Sequence, residues 1–150
     1  MVARLILVSA LAIWLAGSSI RGLERENDSV TLNSGAFEYA KSLIKEGRVV
    51  VDNHGSWQYH QVSAQDENDF IRQHGFDEYA KWHLGIDENR AVDTKARYKF
   101  PYGDFQSIHR CALLAAKQRA REYHHLAVES AAAQLLEMIN LPKENSKQND

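Results

Sequence analysis

Hydrophobic positions recur at helical spacing in several separate stretches of this chain. Phe37, Ala40, Leu43 and Ile44 fall on one helical face. Asn33 or Ser34 can cap the start of that helix, and Gly47 stands where a C′ residue belongs. Ser63-Ala64-Gln65-Asp66 resembles a capping box, predicting a second helix to about His74 that stops at Gly75. A short helix is expected from Phe76 to Leu84 and a strongly patterned one from Phe105 to Tyr123. A last helix should run from about Leu126 to Ile139, with Val128, Ala131, Ala132, Leu135 and Ile139 as its apolar stripe.

Strand signals are few. Val49, Val50 and Val51 are β-branched, and Trp57 and Tyr59 follow at strand spacing after the turn-forming Asp52-Asn53-His54-Gly55. The expected fold is therefore mostly α: a compact domain of about five helices, several of them short, with at most one small strand pair. A small α+β fold is the alternative, if Val49 to Val51 pairs with Trp57 to Gln61. The core is expected at Trp57, Phe76, Tyr79, Trp82, Ile108, Ala112, Ala115, Leu135 and Ile139.

The ends of the chain break the pattern. Arg4 precedes an apolar run from Leu5 to Ala16, and Gly17, Ser18 and Ser19 follow. Residues 1–20 thus read as a leader, either a signal peptide or a weak membrane anchor, and membrane contact is expected only through them. Residues 21–33 are polar and aperiodic and read as a linker. Residues 34–140 form a single globular domain, and the polar stretch 141–150 reads as a disordered tail. If the start of translation lies further along, the body is compatible with the cytoplasm.

The apolar fraction of 44% supports a folded core, and a net charge of −2 gives no strong overall field. That balance hides a polarity. From Asp52 to Asp93 there are nine acidic residues against three basic; from Lys95 to Arg121 there are seven basic against one acidic. On the predicted Phe105–Tyr123 helix, Arg110, Lys117 and Arg121 fall within about 40° of one another and form a stripe that could lie on nucleic-acid phosphates. A solvated helix face, or pairing with the acidic half of the fold, explains the same stripe. Arg119 falls among the apolar positions, so it is expected to be covered and paired with Asp87, Glu88 or Asp104. Tyr98, Lys99 and their neighbours in YKFPYGDF alternate cations with aromatics. They could stack bases, although pinning of a loop to the core is the commoner use of such a segment.

Catalytic motifs are missing: there is no Gly-rich phosphate loop, no G-x-S-x-G and no H-E-x-x-H. One cysteine, Cys111, excludes an intrachain disulfide framework and a Cys-based zinc site. Among seven histidines, His54 and His60 are the candidate metal ligands, with His74 or His83 as further donors. His109 and Cys111 lie two apart on the predicted helix and would point about 200° apart, which bars a direct nucleophile–base pair.

The strings SAQDENDFI, EYAKWHLGID, TKARYKFPYGDF and HRCALLAAKQRA resemble a small group of uncharacterised bacterial proteins. Similar segments occur in phage-derived proteins encoded near head-maturation genes. The resemblance spans residues 37 to 139. It implies no activity and no catalytic residue, and the leader departs from it. The function expected is a non-catalytic binding or accessory domain with no cofactor, its partner a protein or nucleic acid. The alternatives are a nucleic-acid-binding module using the basic helix face, and a small metal-dependent enzyme.

Overall fold

The computed structural model describes residues 29–141. The leader, most of the linker and all but the first residue of the tail lie outside the described residues.

The domain is α+β. In chain order come β1 (Val30–Leu32), α1 (Ser34–Lys45), β2 (Val49–Val50), α2 (Trp57–His60) and α3 (Ala64–Ala80). β3 (His83–Asp87), β4 (Tyr98–Pro101), β5 (Ile108–His109), α4 (Arg110–Glu122) and α5 (Leu126–Asn140) follow. β1, β3 and β4 form an antiparallel sheet with β3 in the centre, and β2 pairs in parallel with β5. The mostly-α expectation is thereby overturned. The strand pair that would have made an α+β fold is not formed either: Val49 faces Ile108, Val50 faces His109, and Trp57–His60 is a helical turn.

Four of the five residues of β3 are buried, so the strand shows no alternation of apolar and polar positions. The residues expected to continue a helix through Leu84 instead leave it at Lys81 and enter the sheet. β1 lies inside the stretch that reads as a linker, with Val30 opposite Asp87 and Leu32 opposite Gly85. Gly85 is required there, because a Cβ would sit 2.8 Å from Phe100 Cδ2 and 3.0 Å from Val30 Cγ1.

The helix signals at the ends of α1 and within α3 act as read. Asn33 Oδ1 accepts from the Ala36 N–H (3.1 Å), while its Nδ2 donates to the Ala80 carbonyl (2.9 Å), tying the start of α1 to the end of α3. Gly47 adopts φ 76° and closes α1 through its N–H to the Ile44 carbonyl (3.0 Å). Ser63 Oγ accepts from the Asp66 N–H (3.1 Å) at the start of α3. Gly75, at φ 81°, breaks α3 into two helical pieces.

The core lies among α1, α4, α5 and the sheet, around Leu43, Trp82, Leu84, Tyr102, Ile108, Leu113 and Leu135. Tyr79, Trp82, Ile108, Ala112 and Leu135 are buried as expected, but Trp57, Phe76, Ala115 and Ile139 are only half-buried. The Tyr102 hydroxyl sits between the carbonyls of Ala36 and Lys81. No helix among the described residues is long and apolar enough to cross a membrane.

Candidate functional site

α4 starts at Arg110, five residues later than its pattern predicts. Asp104 is the reason. Its Oδ1 accepts the N–H groups of Gln106 (2.9 Å) and Ser107 (2.6 Å), closing a turn that the chain leaves through the extended Ile108 and His109. His109 therefore sits outside the helix, at φ −102° and ψ 123°, and the 200° separation from Cys111 does not hold. The two side chains meet at a third residue from the loop after β2.

That residue is Asp52. Its Oδ1 accepts from the Cys111 backbone N–H (2.6 Å), and its Oδ2 accepts from the Cys111 thiol (2.9 Å) and lies 2.8 Å from His109 Nδ1. The far nitrogen of His109, Nε2, faces Asp104 Oδ2 at 3.2 Å. Each ring nitrogen of His109 thus faces a carboxylate oxygen. The His60 ring stacks on His109 with centroids 5.0 Å apart, and its Nε2 stands 3.9 Å from Asp52 Oδ2. One carboxylate oxygen thus has two nitrogens and a sulfur around it. The side chains of Asp52 and His109 are 9% and 7% exposed, whereas His60 is 40% exposed and opens the cluster to solvent.

The electrostatics follow from this packing. Burial alone would raise Asp52, but the thiol, the ring, the backbone N–H and the imidazole charge together hold its carboxyl below the usual range. Burial works the same way on Asp104 and is overridden by the Ser107 and Gln106 N–H groups and by His109. Burial and the adjacent Asp52 push the Cys111 thiol up to about 12. A thiol so held keeps its proton at neutral pH and is a poor nucleophile.

A groove of about 760 Å³ lies on the other side of Trp57, between β4 and the C-terminal half of α4. Trp57, Phe100 and Tyr123 line it together with Lys99 and Arg119. Arg119 is exposed here, contrary to expectation, with its guanidinium over the Tyr123 ring at 5.5 Å. Its expected acidic partners are taken: Asp87 by Arg90 (3.5 Å), Glu88 by Arg97 (2.8 Å) and Asp104 by His109. Arg119 lies on the side of α4 that carries Ala115 and Ala116, and there this side borders the open groove, while Ala120 in the same turn is buried in the core.

The remaining expected residues scatter. Arg110 reaches the Asp52 carbonyl at 3.4 Å, and Arg110, Lys117 and Arg121 occupy the side of α4 away from Arg119. Tyr98 is buried, donates its hydroxyl to the Val92 carbonyl (3.0 Å), and is pinned rather than free to stack. His54 stays exposed in its turn, outside the Asp52 cluster. Of the expected metal pair, His60 lies beside the cluster, stacked on His109, but is not among the three residues whose ligand atoms all lie within 4.8 Å of one another. Comparison with protein families, with curated proteins and with solved structures finds no match for this chain.

Proposed function

We propose that the protein is a non-catalytic binding domain whose groove between β4 and α4 takes an anionic, partly apolar segment of a partner protein. One observation carries this reading. Among the described residues, Lys99, Arg110, Lys117, Arg119 and Arg121 form no salt bridge, while Lys95 and Arg97 are paired with Glu67 and Glu88. The acidic and basic halves of the chain do not neutralise each other along α4. In the groove, two of these cations stand beside Trp57, Phe100 and Tyr123, a combination that suits acidic and apolar side chains at once. The acidic side chain lining it, Glu122, accepts from Gln118 at 3.0 Å. The raised Cys111 thiol supports a non-catalytic role, since the residue best placed to act as a nucleophile is held protonated.

A second reading has its own observation. Among the described residues, Arg110, Lys117 and Arg121 form no salt bridge and share the opposite flank of α4, where nucleic-acid phosphates could lie. Fluorescence anisotropy separates the two. A labelled peptide rich in Glu and Phe should bind the full chain at low salt, and Lys99→Glu with Arg119→Glu should weaken it at least tenfold. Binding of a labelled oligonucleotide instead, lost in Arg110→Glu with Lys117→Glu, would give the second reading the place of the first. No binding of either probe at low salt would end both.

A further inference from the structure

We propose that Asp52, His60, His109 and Cys111 form a binding site for one divalent transition metal of the zinc type, a site that clips the loop after β2 to the start of α4. The donor set has the chemistry: a thiol, two imidazoles and a carboxylate are the ligands that a tetrahedral zinc centre uses. The donor atoms of Asp52, His109 and Cys111 all lie within 4.8 Å of one another. In a tetrahedral centre with bonds of about 2.0–2.3 Å, neighbouring donors stand about 3.4–3.7 Å apart. The distances to Asp52 Oδ2 are 2.8 Å from His109 Nδ1, 2.9 Å from Cys111 Sγ and 3.9 Å from His60 Nε2. His109 Nδ1 and Cys111 Sγ each need to move from Asp52 Oδ2 by well under an ångström. His60 stands outside the three residues whose ligand atoms all lie within 4.8 Å of one another, so its exposed ring has to swing in to complete the centre.

The surroundings are a second, independent argument. A metal-bound histidine normally donates its far nitrogen to a carboxylate, which fixes the ring and makes it a better ligand. His109 has that partner in Asp104, 3.2 Å from Nε2, leaving Nδ1 turned towards Asp52 and Cys111. Asp52 is oriented in the same manner. Its Oδ1 is held by the Cys111 N–H, so a single oxygen, Oδ2, is left for the ion. Metal binding would displace the thiol proton and the proton between His109 Nδ1 and Asp52, and both would go to solvent.

The location gives the ion a structural use. α2 buries none of its four residues, Val51 is 73% exposed and Tyr59 80% exposed, so this loop is poorly held by apolar packing. A metal joining Asp52 and His60 to His109 and Cys111 would supply what packing does not.

Titration of the full chain with cobalt(II) tests the site. We expect one equivalent to bind with a thiolate charge-transfer band in the near ultraviolet and intense visible bands of a tetrahedral ion, and zinc to displace it. Cys111→Ser should abolish the charge-transfer band, and His109→Gln should weaken binding at least a hundredfold. His60→Ala alters an exposed side chain on a turn without buried residues, so it tests ligation without threatening the fold; at least tenfold weakening is expected. Asp104→Asn, which acts through His109, should weaken binding by about 10–100-fold while leaving the charge-transfer band in place. His54→Ala should change nothing. The absence of equimolar binding, a charge-transfer band that survives in Cys111→Ser, or an affinity unchanged in His60→Ala would each overturn the four-ligand centre.

Discussion

Asp52→Ala should destabilise the metal-free protein by about 3 kcal/mol, and the figure can be built from its contacts. α4 has no cap from its own first residues: His109 stands at the N-cap position and makes no side-chain capping bond. Asp52, from a loop more than fifty residues earlier, supplies it by accepting from the Cys111 N–H at 2.6 Å. Loss of a cap costs about 1 kcal/mol, and loss of a carboxylate from the positive end of a helix adds about 0.5 kcal/mol. The larger part comes from His109, which is 7% exposed at its side chain and would lose its 2.8 Å partner. A buried donor left unpaired costs about 1–3 kcal/mol.

Urea unfolding at neutral pH with a chelator present measures the sum. The midpoint should fall with the slope unchanged, because the surface exposed on unfolding is the same. Asp52→Asn keeps an oxygen for the Cys111 N–H and should cost about half as much. The pH dependence has a definite sign. The folded state holds the Asp52 carboxyl below its ordinary value. Its contribution is therefore complete above the unfolded value near 4 and is lost as pH falls through the folded one. Asp52→Ala should remove that part of the acid limb. A cost under about 0.5 kcal/mol in Asp52→Ala would refute the view that this carboxylate caps α4 and anchors His109.

Gly103→Ala should cost about 3 kcal/mol or more in the same assay, because a Cβ there would meet the Ser107 carbonyl at 2.5 Å and the Trp82 ring at 2.7 Å; a neutral result would mean that the 103–107 turn moves freely. His83 is buried, donates Nδ1–H to the Tyr79 carbonyl (2.9 Å) and is pushed by burial down to about 4. The unfolded chain binds its proton first, so stability should fall by about 3 kcal/mol as pH drops from 6.5 to 4, and His83→Leu should flatten that slope in a denaturant-midpoint series. Residues 21–150 should unfold cooperatively by circular dichroism. A chain beginning at Asn33 should be less stable by about 2 kcal/mol, because it loses β1 and the half-buried Leu32; equal stability would mean that β1 contributes nothing.

The longer helices of this domain were legible, while the four-residue α2 and the sheet were not. α1 and α5 carry an apolar face of 3.6 period and a polar one, and α1 adds the cap and stop residues that mark its ends. β3 is covered on both faces and β1 has three residues, too few for a period of two to show. β4 ends in Pro101, which reads locally as a break. Pairing supplies what the local pattern lacks: Gly85 packs against Phe100 and Val30, a relation visible only when three distant segments lie side by side.

The Asp52 cluster was hidden by the same kind of distance, and one local error compounded it. Treating Phe105 to Arg110 as helix put His109 and Cys111 on opposite faces, whereas the Asp104 turn delays the helix and leaves His109 extended. The aspartate and the β-branched Ile108 ahead of His109 were the available signal, since an Asx turn and an extended residue both delay a helix start. Nothing in the local sequence links Asp52 to them. It reads as a turn residue in Asp52-Asn53-His54-Gly55, and its partners are fixed only by the parallel pairing of Val49–Val50 with Ile108–His109. That pairing has two residues on each side, yet it sets the register that brings Asp52 Oδ2 to His109 and Cys111 and carries His60 over the ring. The shortest strand pair in the fold therefore determines the geometry of its densest cluster of ligating groups. A change that breaks the pairing, such as Val50→Pro, which removes a backbone donor there, should disperse the cluster without touching any of its side chains.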